Sequence, residues 1–364
     1  MSEVLKKFDA WLSDDGPAAL VIREHLMPVE GPDGVLFPST FAASEDKTFK
    51  GGYNVDDFGN GSNCCLIDSV GSQANRIEPL FTREKYAGLV PQVTIKAGEK
   101  TVSLLEAGHR AGDAIVRCTP LQKILQDAFK AAQQGNVEPL AKIAPTSLVF
   151  GVWDSRDTQA KLPRLIASTI RAFNIQRLTR SAQFNPAAEF VAGGLLAEPD
   201  DKQTKDAYAQ RGFVHVPASG SHGGVIVTGG VRRDATLSLA ALRLLNAGTD
   251  KGKTELLRRY ILGLSLVAFT CRQSTYLRQG CNLVLNPGKP AEFVEVRNDG
   301  SRHPAKVTHD EALAYASVTA KAFGVGKDQP VEFDKELAKR DVQGDADHAA
   351  KPEKPAGGKK AKGK

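Results

Sequence analysis

What this chain lacks excludes several kinds of protein. Its longest apolar run, Tyr260–Thr270, is too short to cross a bilayer. The opening MSEVLKKFDAW has no apolar signal core. The cysteines, Cys64, Cys65, Cys118, Cys271 and Cys281, are odd in number and show no CxxC spacing. Neither a disulfide framework nor a zinc site is therefore expected. No GxSxG elbow, HExxH pair or GxGxxG fingerprint occurs, so no cofactor is expected either. These absences point to a cytoplasmic protein without a membrane anchor.

The 364 residues are 41% apolar and 25% charged, enough for a large core, and 34 glycines imply many turns. The net charge of +6 is misleading. The last eleven residues, Lys354–Lys364, carry five lysines and no acid, so residues 1–353 sum to only +1. Any polyanion site must come from local clustering. Two clusters exist: Arg156, Lys161, Arg164, Arg171, Arg177 and Arg180 against Asp157 alone, and a second over residues 251–280.

The patterns give a helix over 3–13, a strand over 18–29 and a long irregular loop over 31–61. A helix is expected over 62–78, capped by Ser62 or Asn63 and stopped by Pro79. Strands are expected over 92–106, 113–118 and 147–153, and helices over 120–134 and 161–176. Residues 184–210 have little pattern. Strands over 212–216 and 224–231 follow, then helices over 235–247 and 254–270, strands within 282–297 and a helix over 309–323. The whole reads as α+β: one domain over 1–340, with an antiparallel sheet and helices on one face, and a disordered Lys-rich tail over 341–364.

Three segments have the chemistry to hold a phosphate backbone. On the 62–78 helix, Ser69, Ser72, Gln73 and Arg76 form a polar stripe beside an apolar one, and all can donate to phosphate oxygens. On the 161–176 helix, Lys161, Arg164, Ser168 and Arg171 form a basic stripe, and Arg180 and Gln183 follow in RSAQF. In 219–235, glycines bracket a short strand before Arg232 and Arg233; they permit close approach of a ligand, though the GK[ST] ending of a P-loop is missing there. Each segment also has a plainer reading, as a solvated helix face or a glycine-rich hairpin. For catalysis, only His109 near Asp113 and His222 beside Ser221 stand out.

The stretches LIDSVGSQANRIEP, SLVFGVWDSRDTQAKLPRLIASTIRAFNI and RSAQF, in this order, resemble the type I-U (I-G) CRISPR-associated backbone subunit of the RAMP superfamily. The resemblance runs over roughly residues 35–325. It implies an RRM-like (ferredoxin-like) palm with finger and thumb insertions. It also implies a non-catalytic role in antiviral defence: copies of the subunit line crRNA in a Cascade complex, beside other Cascade subunits, and present the guide to target DNA. By the same resemblance Ser72, Gln73, Arg76, Lys161, Arg164, Arg171, Arg180, Gln183, Arg232 and Arg233 are the expected RNA contacts. No RNP aromatic motif is visible, which favours backbone gripping over base stacking on the sheet. The thumb is expected at 36–61 or 184–210. The alternative is a RAMP-type metal-independent endoribonuclease processing precursor crRNA, with His109 or His222 as base.

Overall fold

The structure, a computed structural model, describes residues 2–46 and 48–349. It is mixed helix and sheet. The tail expected from residue 341 lies outside the described residues beyond 349; a helix, Lys335–Ala349, runs up to that point. No helix among the described residues is long and apolar enough to cross a membrane.

A nine-stranded antiparallel sheet organises the chain. Its strands are β1 (Ala19–Pro28), β2 (Val55–Asp57), β3 (Asn63–Asp68), β4 (Ile166–Phe173), β7 (Val231–Ser238), β8 (Tyr276–Arg278), β9 (Cys281–Leu285), β10 (Glu292–Val296) and β11 (Arg302–Pro304). The order is β8-β9-β1-β7-β4-β3-β2; β10 also pairs with β1, and β11 with β10. Strands β1 and β4 run parallel with β7 between them, and β7 and β10 run parallel with β1 between them. Helices fill both crossovers. The ribbon strands β5 (Ile175–Phe184) and β6 (Val216–Val227) form a separate antiparallel pair, to which Leu36 adds a single bridge at Val225.

The helical layer covers one sheet face. Helix α4 (Lys251–Thr270) is buried at every residue from Tyr260 to Phe269, so it is apolar all round. Burial of each large aliphatic side chain there stabilises by about 1.5–3 kcal/mol. Helix α5 (His309–Phe323) packs against it so closely that a Cβ on Gly263 would sit 2.9 Å from the Ala316 Cα. Thr308 and Glu311 form a capping box at the start of α5, and Gly324 ends it in the left-handed region. A Lys7 bond and the Thr308 donors hold the Glu311 carboxyl down to about 2.

Several expected elements differ. Residues 62–78 split into strand β3 and a shorter helix, α1 (Val70–Ile77), capped by Ser69 rather than Ser62 or Asn63. The expected helix over 161–176 is instead β4, preceded by a two-residue strand at Lys161–Leu162. Over 161–176 the apolar Leu162, Ile166 and Ile170 recur every four positions, a spacing that suits a 3.6 period and a period of two equally. The β-branched Ile166, Thr169 and Ile170 and the interior Pro163 favour the strand. Residues 113–118 are a short helix because the Asp113 side chain caps it, and 147–153 begins as a wholly buried helical turn, Thr146–Phe150. Strand β7 takes the first four residues of the 235–247 helix, leaving Leu239–Arg243 helical. The 3–13 helix is two pieces, Ser2–Lys6 and Asp9–Leu12. The strand over 18–29 and the helices over 120–134, 254–270 and 309–323 form close to the expected bounds.

Candidate nucleic-acid interface

The buried face of the sheet carries a polar seam between two apolar clusters. On β1, Glu24 lies between Ile22 of the larger cluster and Leu26, which packs on the smaller. On β7, Arg233 lies between Ala235 and Val231; on β4, Ser168 lies between Ile166 and Ile170. Arg233 Nε donates to Glu24 at 2.6 Å, and its Nη1 reaches the Ser168 hydroxyl at 3.4 Å. Ser168 donates to Gln73 Oε1 at 2.9 Å, and Gln73 Nε2 donates to Asp68 at 2.7 Å. The Asp68 side chain is fully buried. It also accepts the Ser72 hydroxyl at 2.8 Å, Arg76 Nε at 3.1 Å and Arg278 Nη2 at 3.0 Å. A buried carboxylate is tolerated when paired and bonded in this way. Ser72, Gln73 and Arg76 of the α1 stripe therefore turn onto Asp68; Gln73 is buried, Ser72 is half-buried and the Arg76 side chain keeps a wet edge, at 30% exposure.

The opposite face of the same strands is open. His25 stands opposite Arg232, and Arg232 opposite Arg171, giving a basic row across β1, β7 and β4. The Arg232 guanidinium lies 4.7 Å from the Phe173 ring centroid. Arg171 Nη1 donates to Thr169 at 2.7 Å. One step along the strands, Asp234 accepts from Arg23 at 3.2 Å and from Arg232 at 2.8 Å, which pins the spacing of the row. Beside it, burial pushes the Cys64 thiol up while Arg171 and Arg232 pull it down.

Ribbon β5–β6 continues β4 and β7 past a break. Asn174 takes a left-handed φ of 50° and Gly230 one of 87°. Thr228 donates twice to the Asn174 carbonyl, and Gly229 donates to Phe173. Beyond Ile175, β5 is exposed on most of both sides, with Arg177, Arg180 and Gln183 along it. The glycines of 219–235 serve the chain itself. A Cβ on Gly223 or Gly229 would meet a backbone oxygen at 2.7 Å, and the Gly224 N–H donates to the Tyr53 hydroxyl at 3.0 Å.

Lys161 and Arg164 line a separate cleft of about 520 Å³. His109 is at its rim and 83% exposed, 3.5 Å from Asp113. His222, on β6, packs edge-on against Tyr53.

The ten residues read from the sequence thus fall in four places. Ser72, Gln73, Arg76 and Arg233 belong to the seam; Arg171 and Arg232 to the open row; Arg180 and Gln183 to the ribbon; Lys161 and Arg164 to the cleft. The basic stripe over 161–176 is not a stripe, because a strand sends alternate residues to opposite faces. Sequence reasoning missed Asp68, Glu24 and Arg278 in the seam, and Arg23, His25 and Phe173 on the open face. The alternation in VIREHLMP, with Arg23 and His25 two apart on a half-buried strand, was the available signal.

Residues 20–177 match the protein family described as CRISPR-associated protein GSU0053. The matched segment runs from β1 into β5 and includes α1, the cleft and the β1 and β4 members of the open row, His25 and Arg171, but not Arg232. This likeness supports a role in CRISPR defence. No curated protein matches the chain.

Proposed function

We propose that the chain is a non-catalytic subunit of a CRISPR effector that lines guide RNA, a Cascade-type backbone protein working in the cytoplasm. The observation that carries this reading is the row His25–Arg232–Arg171 on an open sheet face, from which an exposed ribbon bearing Arg177 and Arg180 continues. Basic side chains at strand spacing beside an uncovered sheet suit a phosphate backbone followed without regard to sequence. The connectivity supports an RRM-like palm: two parallel strand pairs, each with one antiparallel strand between and helices in the crossover, are the split β-α-β arrangement. The ribbon, with residues 185–215 at its far end, is the best candidate for the projecting hairpin. In this reading the partners are crRNA, further copies of the chain, other Cascade subunits, and target DNA through the guide.

The test is RNA binding by the purified chain across a salt series, with size-exclusion chromatography and an incubation in EDTA. The reading expects RNA-dependent oligomers, affinity that falls steeply with salt, little sequence preference and intact RNA. A chain that stays monomeric and RNA-free rejects it. Cleavage of a repeat RNA in EDTA, lost in His222→Ala, would instead favour the processing endoribonuclease.

A further inference from the structure

The cleft that holds Lys161 and Arg164 has more than phosphate chemistry in it. Trp153 ends a two-residue strand paired with Lys161–Leu162 and is 56% exposed. An indole left that open is unusual for so large an apolar side chain. The Lys161 ammonium lies 5.6 Å from its ring centroid, over one π-face, and both side chains line the cleft. Leu162 and Pro163 form an apolar wall. The basic side chains are His109, Arg110, Lys161 and Arg164, and no acidic side chain is among the described residues that line the cleft.

The frame around Trp153 is rigid. Gly151 is left-handed, and a Cβ there would sit 2.7 Å from the Arg164 Cγ; one on Gly112 would sit 2.9 Å from the Trp153 carbonyl oxygen. Arg110 is buried and fixed by Glu78 at 2.6 Å and by the Gly151 carbonyl at 3.3 Å. Arg164 Nε is anchored on the Phe150 carbonyl at 3.0 Å, and its two Nη nitrogens bond no described residue. An aromatic platform, an apolar wall and anchored cations thus meet in a space of the size that takes small ligands.

We propose that this cleft is a nucleotide subsite, in which a base stacks on the Trp153 indole while Lys161 and Arg164 hold the adjoining phosphate. Stacking on an aromatic side chain is tolerant of base identity, because every base has a π-face. The nucleotide is either one unit of a bound RNA or a free mononucleotide; only the first source rests on the RNA-binding reading above.

Trp153 reports on its own site. The other tryptophan, Trp11, donates to Glu295 at 2.8 Å and can be replaced by Phe to leave a single indole. The full-length Trp11→Phe chain is titrated with adenosine 5′-monophosphate, with ribose 5-phosphate and with a short single-stranded RNA, following Trp153 emission. RNA affinity is then measured in Trp153→Ala and Trp153→Phe. Quenching by the nucleotide or the RNA but not by ribose 5-phosphate is expected. So is a loss of RNA affinity of roughly tenfold in Trp153→Ala, largely restored in Trp153→Phe. RNA that binds wild type and Trp153→Ala equally, without quenching, overturns the subsite and leaves the RNA-binding reading standing. Quenching by the mononucleotide with no RNA binding keeps the subsite, assigns it a free nucleotide and removes the RNA reading. Ribose 5-phosphate that quenches as well as the nucleotide overturns stacking, and no binding of any probe overturns both.

Discussion

Gln73 and Ser168, 95 positions apart, share a 2.9 Å hydrogen bond on the buried face of the sheet. Through it helix α1 is tied to the central strand β4, and the same glutamine reaches Asp68 with its other end. Gln73→Ala should cost about 1–3 kcal/mol, since it strands a buried hydroxyl and removes a donor from a buried carboxylate. Asp68→Ala should cost about 3 kcal/mol, the low end for breaking a buried charge pair, because Arg76 and Arg278 both keep some solvent. Urea denaturation of the two variants measures both. Changes within about 0.5 kcal/mol, the range of ordinary surface substitutions, would mean that the seam does not hold the fold.

Arg171→Ala and Arg232→Ala should behave differently. Their head groups face solvent, and the Arg232–Asp234 pair is of the exposed kind that contributes about 0–1 kcal/mol. Stability should hardly move. RNA affinity should fall alike for all sequences, and the slope of log K against log salt should drop by about one for each arginine removed. A drop in affinity with an unchanged salt slope would mean that these arginines do not touch phosphate.

The break between sheet and ribbon has a left-handed residue on each strand, Asn174 and Gly230. Gly230 at φ 87° should resist a side chain, and Gly230→Ala is expected to lose about 1–2 kcal/mol in thermal unfolding. Gly252→Ala is the matched control. That residue lies in the first turn of α4 with ordinary φ, and a Cβ there would make only ordinary contact with Asp250 Oδ1 at 3.5 Å, so alanine should be neutral or stabilising by up to about 1 kcal/mol.

Acid should loosen the start of α5. The Glu311 carboxyl ordinarily titrates at 4.5 and is held at about 2 in the folded chain, chiefly by Lys7 and then by Thr308. Its contribution is present in full above 4.5 and is lost as the pH falls from there through 2. The urea midpoint of the wild type should therefore fall more steeply below pH 4.5 than that of Glu311→Gln. Parallel curves in that window would count against the capping box as a source of acid sensitivity.

Sequence made some elements plain and others not, for physical reasons. Helix α5 announces itself, with Thr308, Glu311 and Gly324 at the positions that caps require. The 161–176 segment does not, because Leu162, Ile166 and Ile170 repeat every four residues and so fit either period. The donors of α1 were legible as a polar stripe, but not their acceptor. Asp68 comes just before the helix in a strand that had been read as helix, and Arg278 arrives from 210 positions away. The open row needed the register of three strands, β1, β7 and β4, drawn from residues 19–28, 231–238 and 166–173. No local pattern carries that information.

Ribbon β5–β6 leaves the sheet from the ends of the two strands that carry Arg171 and Arg232, across the break at Asn174 and Gly229–Gly230. Just beyond that break β6 is held from the side, by two backbone bonds between Leu36 and Val225 and by the Gly224 bond to the Tyr53 hydroxyl. A load on the far end of the ribbon would therefore be taken up at Leu36 and Tyr53 before it reached the basic row.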